Sequence, residues 1–243
     1  MIVLIITAVR IKSMDSHRIS GRILAENIAG PGMLRLVEQS MQARARKTSV
    51  TEIAVKERKH PQAALTFDDG PDIRYTPLLL DGLKERNVRV SFFLLGEKVE
   101  QYPELVERMQ KEGHLVGNHT YHHVQLNKLN ETKAREEILK TNNLIYETTG
   151  VYPLYLRPPF GAWKKNLELC VEMLPVFWTI DTLDWKVQNT EKIVRTVQEQ
   201  IEDGAIILMH DEYDTSVEAA LQVVDELKNQ RYELVTVDQL ILP

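Results

Sequence analysis

From residue 63 onward, short apolar runs alternate with longer amphipathic stretches. ALTFDD is a compact apolar run closed by two carboxylates, the pattern of a buried strand. Residues 77–86 then carry Leu79, Leu80 and Leu83 with charges between them, a helical stripe. RVSFFLLG (89–96), rich in Val and Phe, reads as a second strand. Residues 103–112 read as a helix capped by Gly113, and HLVGNH as a third strand. A long amphipathic helix is expected over 131–149, with Ile138, Leu139, Leu144 and Ile145 inward and Gly150 ending it. The pattern then predicts a strand in YLRPP, a helix over 164–174, a strand in VFWTID and a helix over 190–203. A strand in AIILMH, a helix over 216–230 and a last strand in YELVTV complete it.

Strands alternating with helices imply βα units on a parallel sheet. Roughly seven such units predict an α/β fold closed, or nearly closed, into a barrel, whose chemistry lies at the C-terminal strand ends. Asp68 and Asp69 end the first expected strand, His119 the third, Arg157 the fourth, Asp181 the fifth and His210 the sixth. Ionisable side chains therefore gather at the one edge where a barrel enzyme places its site.

Residues 10–60 are polar and weakly patterned, with a helix suggested around Leu34, Leu36 and Val37 and a strand over 52–55. We read 1–60 as an N-terminal extension or stalk and 61–243 as the main domain. The opening MIVLIITAV is too short for a membrane span of ~20 residues. It also lacks the leading Lys or Arg of a secretory signal. A remnant of a membrane anchor, a short strand and a tail all fit it. The polar residues that follow at once suit the anchor.

Composition changes little in this picture. The 243 residues are 43% hydrophobic and 27% charged, as in soluble globular proteins. A net charge of −5 and a pI near 5.9 argue against a nucleic-acid groove, which needs a basic face. The single cysteine, Cys170, allows no intramolecular disulfide; in LELCVEML it reads as a buried core thiol.

Three chemical features stand out. His119 and His123 are four apart in HTYHH, a spacing that a helical turn would bring to one face, as half of a divalent-metal site. Taken alone, such a pair also fits a helix cap and a surface residue. Asp68 and Asp69 are costly at the end of an apolar strand unless paired or bound to a cation. Both reach one site only if the backbone turns, which Gly70 and Pro71 would supply. One carboxylate with two imidazoles leaves an open position, the pattern of a catalytic metal, which lowers the pKa of its water to ~7. The second Asp is then free to act as general base, with His210 as the candidate acid. Asp184 would hold the His210 imidazole charged, and Arg157 would keep Asp68 ionised.

TFDDGP, HTYHH, RPPFG, DTLDW and ILMH, in this order and spacing, resemble the five motifs of the polysaccharide deacetylases of the NodB-homology type, carbohydrate esterase family 4. The match covers roughly residues 63 to 240. The resemblance implies a distorted (β/α) barrel of about seven parallel strands and metal-dependent removal of acetyl groups from polysaccharides. It implies that Asp68 is the base and that Asp69, His119 and His123 are the metal ligands. Arg157 would pair with the base, and the Phe160 backbone N–H would help bind the oxyanion. Asp184 would tune His210, the acid, while Trp185 and Leu208 would line the acetyl pocket. Phe160 stands where Tyr is common, and DEYDTS follows His210 where many relatives are Gly-rich, which is expected to reshape the substrate groove.

The expected function is deacetylation of N-acetylglucosamine units in a cell-wall polymer, peptidoglycan first. A chitooligosaccharide deacetylase and an acetylxylan esterase share every motif. A catalytically silent carbohydrate-binding barrel and a cytosolic metalloamidase are readings from other classes. The metal is expected to be Zn²⁺, although Co²⁺, Ni²⁺ or Fe²⁺ fit the same ligands. A monomer in the cell envelope or outside the cell is expected, touching membrane only through an N-terminal anchor.

Overall fold

The computed structural model describes residues 59–163 and 173–241. The opening apolar run, the helix and strand expected before residue 57, and Cys170 lie outside the described residues, as does most of the helix expected over 164–174.

Among the described residues all the strand pairings are parallel. The strands are β1 (Gln62–Asp68), β2 (Ser91–Leu94), β3 (Leu115–Asn118), β4 (Tyr155–Leu156), β5 (Leu174–Pro175), β6 (Ile180–Asp181), β7 (Ala205–His210) and β8 (Glu233–Leu234). Along the sheet the order is β5-β4-β3-β2-β1-β7-β6, with β8 paired to the start of β1. Among the described residues no pairing joins β5 to β6, so the sheet is a curled, distorted barrel.

The helices are α1 (Tyr75–Glu85), α2 (Gly96–Gln101), α3 (Pro103–Lys111), α4 (Glu131–Thr149), α5 (Asp184–Val187), α6 (Thr190–Gln200), α7 (Asp214–Asn229) and α8 (Val237–Ile241). Local chemistry sets several ends. Asn130 and Asn189 cap α4 and α6 by accepting from the backbone N–H three residues on. Gly150 ends α4 at φ 71°, a left-handed position that suits glycine.

Period-two alternation divides the sheet into two faces. Leu65 and Phe67 of β1, Phe92 and Leu94 of β2, and Ile207 and Met209 of β7 join one buried cluster with Leu80 and Leu83 of α1 and Val223 and Val224 of α7. The alternate positions, Thr66 and Asp68 on β1 with Leu208 and His210 on β7, therefore share the opposite, inner face. The outer face holds the helices, and the inner face carries the chemistry.

Several boundaries differ from expectation. VFWTID forms a strand only at Ile180–Asp181, and Leu174 lies in β5 rather than in a helix. The helix expected to run to 203 stops at Gln200, and two short helices, α2 and α5, carry no sequence stripe of their own. The last strand is two residues long, and Val237 opens α8 instead of extending it. Elements this short leave too few residues for a period to register.

Candidate active site

Parallel register places the first two groups. Asp68 ends β1 directly beside His210 at the end of β7. The chain turns at Asp69, whose φ is 68°, so adjacent carboxylates that a strand would send to opposite faces converge. The turn is thus made at Asp69 itself. Gly70 serves another purpose: a Cβ there would lie 2.5 Å from Asp211 Oδ1.

Arg157 is fully buried, and its Nη1 donates to Asp68 Oδ1 at 2.8 Å and to Thr66 Oγ1 at 2.6 Å. Its guanidinium lies over the Phe93 ring, 4.2 Å from the centroid. Across the site, His210 Nδ1–H donates to Asp184 Oδ1 at 2.8 Å, and the His210 backbone N–H donates to Asp184 Oδ2 at 2.8 Å. Burial opposes charge on His210. The Asp184 hydrogen bond and the Asp184, Asp68 and Asp69 carboxylates outweigh it and raise the imidazole to about 9.

Asp69, His119 and His123 form the third group, with ligand atoms all within 4.8 Å of one another. Asp69 Oδ1 lies 3.4 Å from His119 Nε2 and 3.4 Å from His123 Nε2. Two ligands each ~2.1 Å from a tetrahedral ion stand ~3.4 Å apart, so these separations fit a small divalent cation. Asp69 Oδ1 is buried with no hydrogen-bond partner, an orphaned acceptor that a cation would satisfy. His119 Nδ1–H donates to the Arg157 carbonyl at 2.6 Å, which leaves Nε2 as the lone-pair nitrogen facing Asp69. Burial alone would raise the Asp69 carboxyl, but His119, His123 and His210 hold it well below the usual carboxylate range.

The two histidines do not share a helical turn. Residues 119–123 are irregular, with Thr120 at φ 67° and His123 at φ 54°. The helical turn expected from the four-residue spacing is not formed, and the two imidazoles meet through an irregular loop instead. Phe160 (φ 60°) and Leu183 (φ 51°) are left-handed too, so strained backbone gathers around this site.

The remaining expected residues sit around these groups. The Phe160 ring is 62% exposed and packs 4.5 Å from the His123 ring. Leu208 is buried on the His210 face of β7, and Trp185, next to Asp184 on α5, is half exposed. Asp181 instead accepts from the Leu183 backbone N–H.

Sequence reasoning passed over four residues. Thr66 bonds Arg157, and its place two before Asp68 on a strand was the available signal. Asp211 is fully buried and accepts from the Thr76 hydroxyl, and Glu212 pairs with Lys98. DEYDTS, expected to reshape the substrate groove, is thus in part internal structure. Burial raises the Asp211 carboxyl to about 7, against the Thr76 bond and Lys98. Glu137 of α4 binds the 119–123 loop, and no sequence signal marks it among the charges of that helix.

A family model described as polysaccharide deacetylase matches residues 55–176. The peptidoglycan-N-acetylglucosamine deacetylase PgdA of Listeria monocytogenes is 41% identical over 185 residues, 76% of this chain and 40% of that protein. A peptidoglycan-N-acetylglucosamine deacetylase of Bacillus cereus is 39% identical over 74% of this chain and 68% of its own length. The peptidoglycan-N-acetylmuramic acid deacetylase PdaC of Bacillus subtilis is 42% identical over 73% of this chain and 38% of its own. A solved structure of PdaC superposes with a TM-score of 0.73, covering 75% of this chain and 91% of that one. The chain thus spans about 40% of the length of PgdA. The family match and these identities support one conclusion: this chain belongs to the polysaccharide deacetylase family.

Proposed function

We propose that this chain is a metal-dependent hydrolase that removes acetyl groups from N-acetylglucosamine units of a cell-wall polysaccharide, peptidoglycan first. The observation that carries the reading is a divided pair around one triad. Asp68, paired with Arg157, and His210, paired with Asp184, both stand beside Asp69, His119 and His123.

Asp69, His119 and His123 would hold the metal, Zn²⁺ first among Co²⁺, Ni²⁺ and Fe²⁺. Bound there, it supplies Lewis-acid polarisation and a more acidic water. Arg157 occupies Asp68 Oδ1, which leaves Oδ2 to take the proton from the attacking water. Held as an imidazolium by Asp184, His210 turns Nε2–H toward Asp69 Oδ2, 3.8 Å away, and delivers that proton to the departing amine. The water oxygen bonds to the acetyl carbon, the carbon–nitrogen bond breaks, and acetate and a free amine result. Leu208 and Trp185 wall the acetyl group, and the Phe160 N–H assists at the oxyanion.

The substrate reading leans on relatives named for peptidoglycan, two for N-acetylglucosamine and one for N-acetylmuramic acid. It carries with it action at the cell envelope, a monomeric chain, and residues 1–60 as an extension to a domain over 61–243. The test is acetate release from peptidoglycan, chitooligosaccharide and acetylxylan side by side, with Zn²⁺ added and removed. Peptidoglycan is expected to be cleaved best; release from acetylxylan alone would make the chain an esterase, and binding without release a silent barrel.

A further inference from the structure

We propose that Glu137, on the helix behind the site, is the positioning residue that sets the spacing of the two histidine ligands; this rests on the metal reading above. His119 and His123 flank three residues with no helical hydrogen bonds to hold them, and two of the five residues have left-handed backbone. Such a segment keeps its shape only if its surroundings determine it.

Glu137 reaches into the middle of that segment. Its Oε2 accepts from the backbone N–H of Tyr121 at 3.0 Å and of His122 at 2.9 Å. Its Oε1 accepts from His122 Nδ1–H at 2.8 Å, and the Glu137 side chain is 15% exposed. One carboxylate thus gathers three donors from between the two ligands, and bonds to a charged acceptor are the stronger kind. His122, 58% exposed, acts as the latch on that carboxylate.

The same helix turn fixes the strand side of the loop. Asn118 Nδ2 donates to the Ile138 carbonyl at 2.9 Å, while Asn118 Oδ1 accepts from the Thr120 N–H at 2.7 Å. The carbonyls of Thr120 and Tyr121 are taken by the N–H groups of Gly96 and Glu97. The loop is gripped by backbone on its carbonyl side and by Glu137 on its amide side. Without Glu137, two amides lose their acceptor and His123 is free to swing from Asp69 Oδ1.

The experiment measures Zn²⁺ affinity of the full chain by competition with a chromophoric chelator, alongside thermal unfolding of the metal-free protein. Glu137→Ala is expected to weaken Zn²⁺ binding ~10–100-fold, the range for partners that orient metal ligands. Glu137→Gln keeps an acceptor oxygen for the two amides and is expected to recover most of that loss. Asn130→Ala removes the N-cap of the same helix without touching the loop. It is expected to lower the melting temperature and leave Zn²⁺ affinity within about twofold. Equal affinity for Glu137→Ala and wild type, or an equal loss for Asn130→Ala, overturns the proposal. If Glu137→Ala does not fold, Glu137→Asp, whose shorter side chain cannot reach the two amides, must bind Zn²⁺ more weakly than Asn130→Ala, or the proposal falls. Failure of wild type to bind Zn²⁺ would instead defeat the metal reading itself.

Discussion

Asp68 and His210 are register partners at the ends of adjacent parallel strands, and each is held from behind by a buried partner of opposite charge. Arg157 fixes one oxygen of Asp68, and Asp184 fixes the far nitrogen of His210. The two groups proposed as base and acid thus each have a buried partner of their own, and the Asp68 charge also helps to hold the proton on His210.

The ligand and the base are adjacent in sequence, yet their loss should read differently. Asp69→Ala removes the oxygen that lies 3.4 Å from both histidines, so Zn²⁺ affinity should fall by at least ~10-fold. Asp68→Asn should leave Zn²⁺ affinity within a few-fold of wild type, because Asp68 is no ligand in this account. Chelator-competition titration of both variants checks the assignment; a reversed order would exchange the two roles.

Activity should decline on the alkaline side as His210 loses its proton. The raised value of about 9 places that limb at or below pH 9, since a cation beside Asp69 opposes the charge on His210. Asp184→Asn removes the leading favourable contact, and the limb should move to lower pH. The profile of kcat/KM against pH reads this directly. In the metal-free protein, stability from the His210–Asp184 pair is full below the ordinary histidine value near 6.5 and lost as pH rises through about 9.

A second histidine predicts acid sensitivity far from the chemistry. His114 is buried, its Nδ1 accepts from the Val90 N–H at 3.1 Å, and burial lowers it to about 4. The unfolded chain therefore binds the extra proton first, so stability falls as pH drops from about 6.5 toward 4, by up to about 3 kcal/mol. Urea unfolding at pH 7 and pH 5 should show the loss. His114→Gln, which keeps an acceptor and cannot titrate, should flatten it.

Arg157→Met should cost about 3–5 kcal/mol, because it strands the Asp68 charge in a buried position. Adding Asp68→Asn should recover part of that loss, since the double variant no longer buries an unpaired charge. A double-mutant cycle by urea unfolding measures the coupling, and strictly additive losses would show that the pair is not linked.

The sequence made the long elements plain. Helix 131–149 was marked by its apolar stripe and by Gly150, and β1 and β7 by apolar runs that end in ionisable residues. Short elements were lost, because two to four residues cannot display a period. The site residues were legible as types at strand ends, but the backbone that unites them was not. Asp69, Thr120 and His123 adopt left-handed conformations that no local preference of Asp-Asp or His-Thr announces. Tertiary bonds impose those conformations, and the same holds for Glu137 and Asp211, whose roles exist only through distant partners.

The central claim is that Asp68 activates water for a metal-dependent deacetylation. The most direct test is acetate release from N-acetylglucosamine oligomers by wild type and Asp68→Asn, each chelator-treated and then restored with Zn²⁺. The account predicts release by wild type that stops with the chelator and returns with Zn²⁺. For Asp68→Asn it predicts a rate lower by ~10²–10⁴-fold with Zn²⁺ bound. Release that persists in Asp68→Asn, or that ignores the chelator, would contradict it.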